Sequence, residues 1–114
     1  MKKEQTYCPV SLTLKVIGGK WKPAILWHLS KGYRRFGELK RRIPNITQKM
    51  LTQQLRELEQ DGVVSRKVFA EVPPHVEYSL TMYGKTLEPI LRQMCSWGEA
   101  HRQTLEPAAR KKSA

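Results

Sequence analysis

The stretch ITQKMLTQQLRELEQDGVV, residues 46–64, surrounds an apolar stripe with long hydrogen-bonding side chains. Leu51, Leu55 and Leu58 recur at the spacing of one buried helix face. The polar residues around them are Gln48, Lys49, Thr52, Gln53, Arg56 and Gln60. At 100° per residue, most of this polar set points roughly 140–200° away from Leu51. The pattern therefore predicts a helix with one buried apolar face and one exposed polar face.

The chemistry of this polar face suits the edges of DNA bases. Glutamine pairs with adenine through two hydrogen bonds, arginine and lysine suit guanine, and threonine contacts a thymine methyl group or a phosphate. Acidic residues, which repel phosphates, are confined to the C-terminal end at Glu57, Glu59 and Asp61. An ordinary amphipathic helix with a solvated face is the alternative, but the surrounding sequence favours DNA. The predicted base and groove contacts are Gln48, Lys49, Thr52, Gln53 and Arg56.

Positive charge is concentrated around the same helix. The net charge is +11, from 21 basic and 10 acidic residues among 114. Residues 20–67 hold 12 basic and 4 acidic residues, so +8 of the excess lies there. This concentration indicates a polyanionic partner such as nucleic acid, although a merely soluble basic surface has the same composition. The predicted phosphate contacts are Arg41, Arg42, Arg66 and Lys67.

Periodicity and capping residues predict a series of short elements that position this helix. Helices are expected at about 10–17, 21–31, 36–42 and 47–61, then a two-strand hairpin, then a long helix at about 82–104. The hairpin tip is placed at Pro73, Pro74 and His75, and YRRF is a short extended segment. The prediction is a mainly α fold with a small β-hairpin wing, the plan of a winged helix-turn-helix. Residues 1–114 are expected to form one domain, with flexible ends at 1–7 and 107–114.

The last helix raises the question of a second subunit. Thr81 is predicted to cap it, and Pro89 predicts either a kink or a later start. Two apolar rows run along it, Leu87, Leu91 and Met94 in one and Ile90 and Trp97 in the other. A small domain does not easily cover both rows, so one is expected to meet another chain. The alternative is that both rows pack on the wing domain.

Two cysteines in a chain without a leader argue for reduced thiols rather than a disulfide scaffold. Cys8 directly precedes Pro9, so it is the expected N-cap of the first helix. The positive end of the helix dipole there lowers the pKa of a thiol and favours the reactive thiolate. The alternative is a cysteine that only packs. Cys95 is predicted to be a small buried apolar residue, or else a resolving partner for Cys8.

Several motifs together resemble the HxlR-type transcription regulators, a winged helix-turn-helix family in the wider MarR-like group. The motifs are CPV, GGKW, FGEL…IPNITQKMLTQQLRELEQDGVV and PPHVEYSLTMYGKTLEPIL…W, from Cys8 to about Trp97. The resemblance implies a homodimer, joined through the first and last helices, that binds an inverted-repeat operator, more often as a repressor. Predicted interface residues are Val10, Leu14, Leu87, Leu91, Met94 and Trp97. Some members use a cysteine at the place of Cys8 to sense oxidants or electrophiles.

Other functions have less support in the sequence. There is no apolar run of 18 residues and no secretory leader, so we expect a cytoplasmic protein without membrane contact. The scattered histidines, His28, His75 and His101, predict no metal site, and no cofactor motif occurs. The first rival function is non-specific, architectural nucleic-acid binding without a thiol switch. The second is a thiol enzyme centred on Cys8, which the absence of a sequence-evident base weakens, so we predict no enzyme.

Overall fold

The computed structural model describes the backbone of residues 8–113 and the side chains of residues 8–105. Its elements are α1 (Pro9–Ile17), α2 (Lys22–Leu29), β1 (Arg34–Arg35), α3 (Phe36–Arg42), α4 (Gln48–Gln60), β2 (Val64–Phe69), β3 (His75–Leu80), α5 (Met82–Lys85) and α6 (Glu88–Ser113). This order confirms the mainly α fold with a small wing. The expectation of flexible ends falls partly on residues 1–7 and 114, which lie outside the described residues.

The core of the domain lies between α2, α3 and α4. Its fully buried side chains are Ile25, Leu26, Leu39, Leu51, Leu55, Leu58 and Val63. The apolar stripe predicted for α4 is therefore confirmed. Local chemistry fixes both ends of this helix, because the Thr47 hydroxyl accepts a hydrogen bond from the Met50 amide at 3.1 Å. At the other end, Gly62 adopts a φ of 77°, which glycine tolerates without strain.

The turn between α3 and α4 is compact and apolar on its inner side. Ile43 and Ile46 are both buried in the core, on either side of Pro44 and Asn45. Asn45 has a φ of 71°, a left-handed conformation that asparagine tolerates better than most residues. The turn thereby holds α3 and α4 in the helix-turn-helix arrangement that the sequence predicted.

The wing is a three-stranded antiparallel sheet of order β1-β3-β2 rather than the predicted two-stranded hairpin. β1 adds the third strand by pairing Arg34 with Tyr78. A strand of two residues is too short to be recognised from a sequence pattern. His75 lies within β3, paired with Phe69, instead of at the predicted tip. The two rings stack with centroids 4.6 Å apart.

The predicted last helix is divided at residues 86–87 into α5 and α6. Thr81 caps α5 by accepting a hydrogen bond from the Gly84 amide at 2.9 Å, and its hydroxyl donates to the Gly62 carbonyl at 2.6 Å. Gly84 sits so close to Val63 that an added Cβ would lie 2.0 Å from the Val63 carbonyl oxygen. Pro89 lies in the first turn of α6, which confirms the later start. α6 continues to Ser113, beyond the predicted end near residue 104.

Candidate nucleic-acid interface

The outer face of α4 gathers all five predicted base and groove contacts on one surface. A shallow groove along the helix is lined by Gln48, Lys49, Thr52, Gln53, Arg56, Glu57 and Gln60. Thr52 and Glu57 are half-buried, and the other lining side chains are exposed. Because Thr47 caps the helix, Gln48 and Lys49 occupy its first turn, where backbone N–H groups also face outward. The N-terminal half of α4 therefore has the exposure and the donor-rich chemistry that a groove contact requires.

The wing extends this surface through Arg66 but not through Lys67. A second depression joins the two elements and is lined by Thr52, Arg56, Glu59, Gln60, Arg66 and Tyr78. The Arg66 Nε lies 3.5 Å from a carboxylate oxygen of Glu59. Successive strand residues point to opposite faces, and the Lys67 ammonium instead lies 5.0 Å from the Phe69 ring centroid. Both cations are exposed, on different faces of the wing.

The two arginines at the end of α3 also take different directions. Arg41 lines a basic depression together with Lys31, Gly32, Tyr33, Arg34, Arg35 and Glu38. Arg42 lies near His28, whose pKa is lowered first by burial and then by the positive charge of Arg42. The depression also contains Lys31, Arg34 and Arg35, which are not among the four predicted phosphate contacts. The run KGYRR, residues 31–35, was the signal that pointed to it.

An ion pair links the outer face of α4 to the start of α2. The Lys22 ammonium lies 2.5 Å from one Glu57 carboxylate oxygen, and the Gln53 amide donates to the other at 3.4 Å. Lys22 is the single charged residue that is buried among the described residues. Its hydrogen bond is the main cause that lowers the pKa of Glu57, followed by the hydrogen bond from Gln53. Glu57 was not among the predicted contacts, although its position one turn after Gln53 was visible.

Exposed apolar side chains, together called the apolar surface below, lie on α1 and on α6, which each pack against α2. They are Val10, Leu12, Leu14, Ile90, Met94 and Trp97. Of the two predicted rows of α6, the row of Ile90 and Trp97 is exposed, whereas only Met94 is exposed in the other row. Leu91 is 3% exposed and Leu87 packs against the core. The prediction of Leu91 as an interface residue is wrong, because its own domain already covers it.

The cysteines differ from the prediction in one respect. Cys8 is the N-cap of α1 and is exposed, as expected. The backbone amides of Ser11 and then Val10 lower the pKa of its thiol, although the sulfur forms no capping hydrogen bond of regular geometry. Cys95 is exposed rather than buried. It borders an apolar pocket whose other lining residues are Pro23, Ala24, Trp27, Leu91 and Met94.

Two further observations concern other classes of function. Among residues 8–105, His, Cys, Asp and Glu side chains do not come together in a group of three or more that could hold a metal ion. In the part of the chain that the structure describes, no helix combines the length and apolarity needed to span a bilayer. The predictions that the protein has no cofactor and is not an enzyme rest on the sequence.

Comparison with known proteins gives a consistent result. The profile of the HxlR-like helix-turn-helix family matches residues 16–106. The HTH-type transcriptional regulator YybR of Bacillus subtilis (strain 168) is 60% identical over 99 residues, which cover 87% of this chain and 79% of YybR. The redox regulator HypR in its reduced form has a TM-score of 0.82 at 58% identity, covering 87% and 98% of the two chains. Its oxidised form has a TM-score of 0.79 at 60% identity, covering 82% and 96%.

Proposed function

This chain belongs to the HxlR-like helix-turn-helix family of transcriptional regulators, and from that premise we propose that it is a homodimeric, cytoplasmic repressor of a specific operator. The operator is an inverted repeat, and each half-site is read by α4 of one subunit. The observation that carries this proposal is the exposed donor-rich face on the N-terminal half of α4.

The proposed base and groove contacts are Gln48, Lys49, Thr52, Gln53 and Arg56, because they share that face. In helix-turn-helix proteins the second helix enters the major groove with its N-terminal part. The acidic residues of α4 are neutralised or set back, since Glu57 pairs with Lys22 and Glu59 lies against Arg66. The face that meets the DNA is thereby left with a positive balance.

The proposed phosphate contacts are Arg41, Arg42, Arg66 and Lys67. Arg66 has the strongest support, because it borders the same depression as Thr52 and Arg56. Arg41 is supported by its place in the basic depression before α3, and Arg42 and Lys67 lie on other faces. Such contacts contribute affinity and fix the register of the protein, and the base contacts contribute specificity.

The homodimer is supported by the apolar surface of α1 and α6. Trp97 is 69% exposed and Val10 is 65% exposed in the single chain, which is unfavourable for side chains of this size in water. A two-fold axis through such a surface pairs it with its own copy. The proposed interface therefore keeps Val10, Leu14, Met94 and Trp97 and adds Ile90, with Leu87 at its edge.

We further propose that oxidation or alkylation of Cys8 controls operator binding. The thiol is exposed, its pKa is lowered by helix amides, and it borders the proposed dimer surface two residues before Val10. The similarity to HypR, described in reduced and oxidised forms as a redox regulator, adds support. Two thiols that form an intersubunit disulfide lose two electrons and two protons to the oxidant. A bond of this kind would change the relative placement of the two α4 helices.

The experiment that tests the function is selection of randomised duplex DNA by the purified protein, with reduced and diamide-treated samples in parallel. We expect an inverted repeat with half-site centres about 34–36 Å apart, one helical turn. A reporter driven by that operator should then be repressed. Failure to enrich any sequence at any salt concentration would favour the architectural rival.

The oxidised sample tests the thiol control separately. We expect operator binding to change with diamide, to recover with reductant, and to be indifferent to diamide in a Cys8→Ser variant. A Cys95→Ser variant shows whether Cys95 forms the second half of the disulfide. An enriched repeat that is bound equally in all samples would retain the regulator and remove the switch.

A further inference from the structure

We propose that Glu57, anchored by Lys22, is a positioning residue that fixes the Gln53 amide in the orientation that selects adenine over guanine. The inference deepens the proposed function, because it rests on Gln53 as a base contact. It assigns a role in specificity to two residues that need not touch DNA themselves.

The geometry forms a short chain from a buried group to an exposed one. The Lys22 ammonium lies 2.5 Å from one Glu57 oxygen, and the Gln53 Nε2 donates to the other oxygen at 3.4 Å. The Lys22 side chain is 11% exposed, whereas Glu57 is 39% exposed and Gln53 lies in solvent. An i,i+4 contact between a glutamine and an acidic residue is weak by itself. Here the carboxylate is held from outside the helix, so it restricts the glutamine more than a free neighbour would.

The hydrogen-bonding inventory then determines what Gln53 presents. A carboxylate only accepts hydrogen bonds, so the amide nitrogen and not the amide oxygen of Gln53 must face Glu57. One of the two amide hydrogens is used in that bond. The second hydrogen and the carbonyl oxygen remain, one donor beside one acceptor. Adenine offers the complementary pair in the major groove, an acceptor at N7 and a donor at N6.

Guanine requires a different arrangement. It offers two acceptors, N7 and O6, so a glutamine satisfies it only when both amide hydrogens point at the base. An unrestrained Gln53 can rotate to do so. When Glu57 retains one hydrogen, the carbonyl oxygen of Gln53 faces guanine O6 and the pairing is repulsive. The restraint thus works mainly against the wrong base.

The ion pair also makes an acidic residue tolerable on this face. An unpaired carboxylate on the outer face of α4, beside Gln53 and Arg56, would repel the phosphates of DNA. Lys22 offsets that charge and lowers the pKa of Glu57, which keeps the carboxylate ionised and therefore accepting. Lys22 thus accounts both for the presence of Glu57 on the face and for its fixed orientation.

The test compares operator variants that carry A·T or G·C at the base pair whose preference Gln53→Ala abolishes. Glu57→Ala is measured beside Asp61→Ala, which removes the same charge from the C-cap of the same helix. We expect both variants to bind every sequence somewhat more tightly. Only Glu57→Ala should lower the ratio of A·T to G·C affinity, by about fivefold or more. Preferences at other base pairs should stay within about twofold of the wild type.

A second pair of variants examines the anchor. Lys22→Arg keeps the charge, and Lys22→Met keeps the apolar stem without it. We expect Lys22→Met, but not Lys22→Arg, to reduce discrimination at the same base pair. Without DNA, NMR should show Glu57→Ala shifting the Gln53 side-chain amide resonances more than Asp61→Ala does, a readout that does not depend on operator binding.

Three outcomes would overturn the inference while the proposed function stands. The first is a Glu57→Ala variant with unchanged discrimination and unmoved amide resonances. The second is an equal loss of affinity for all sequences, which would mean a structural role for Glu57. The third is a wild-type preference that Gln53→Ala leaves intact, which removes Gln53 from the reading set while specific regulation stands. A wild-type protein without any sequence preference would instead reject the proposed function itself, and the inference with it.

Discussion

Two exposed surfaces of this molecule have opposite chemistry. The face of α4 carries glutamine, lysine, threonine and arginine, which are well solvated when no partner is present. The surface of α1 and α6 carries Val10, Leu14, Ile90, Met94 and Trp97, whose apolar area is unfavourable in water. The first surface is therefore stable in water without a ligand, whereas burial of the second against a partner would be favourable.

This contrast predicts different kinds of association. A surface rich in apolar side chains should form a permanent interface with a second copy of the chain. The stability of that interface should depend on buried apolar area and change little with salt. A polar and basic surface should bind reversibly, with an affinity that falls steeply as salt rises. Changes at single residues test this division, beginning with the largest expected effect.

Trp97→Ala should weaken dimerisation through the apolar surface. Trp97 is 69% exposed in the single chain and stacks on His101, so its truncation leaves the fold of the domain intact. An aromatic residue central to an interface contributes about 2–4 kcal/mol, so dimerisation should weaken roughly 30- to 900-fold. Analytical ultracentrifugation measures this change. Val72→Ala is the control, because Val72 is fully exposed in the wing, and it should leave the dimer unaltered.

Gln53→Ala should reduce the sequence specificity of DNA binding without affecting the dimer. Gln53 is exposed and its hydrogen bond to Glu57 is long, so the free energy of unfolding should change by less than about 0.5 kcal/mol. Discrimination at one base pair should fall by about 1–3 kcal/mol. Competition binding with operator variants measures the loss. Retention of full specific affinity would mean that another face of α4 enters the groove.

Arg66→Ala should sharpen the distinction between affinity and specificity. The guanidinium borders the α4 surface and is only partly engaged by Glu59 at 3.5 Å. Its removal should weaken binding to all sequences by a similar factor. The slope of log affinity against log salt should flatten by about 0.9 for each phosphate that is no longer neutralised. If binding instead weakens for one sequence alone, Arg66 belongs to the base-reading set.

The smallest expected effect is on the pH dependence of Cys8 alkylation. Because the Ser11 and Val10 amides lower its pKa in the folded chain, alkylation by iodoacetamide should reach half its maximal rate at a lower pH than in a cysteine peptide. The same shift favours the folded state above the pKa of the unfolded thiol, and this contribution disappears as pH falls through the folded pKa. Mass spectrometry of a Cys95→Ser protein isolates the Cys8 rate. A rate profile matching the peptide would remove the helix-start effect.

The bounds of α4 were predictable because their signals are local. The Thr47 cap, the leucine stripe and Gly62 each act within a few residues, and the structure places α4 at Gln48–Gln60. The assignment of α6 was less accurate because it depends on tertiary packing. Which row faces the core is set by where α5 ends and by how α6 leans on α2, so Leu91 and Cys95 were misplaced. A two-residue strand such as β1 gives too short a pattern to recognise.

The joint at Thr81 has a mechanical consequence. Its hydroxyl bonds to the end of α4 and to the start of α5, and Gly84 lies against Val63 without room for a methyl group. These contacts brace α5 against the residues that follow α4, so a bend between the two helices would have to break them. In a dimer joined through α6, a tilt between subunits would be passed through α5 to the two α4 helices. The distance between them would then be a property of the dimer contact, not of the DNA.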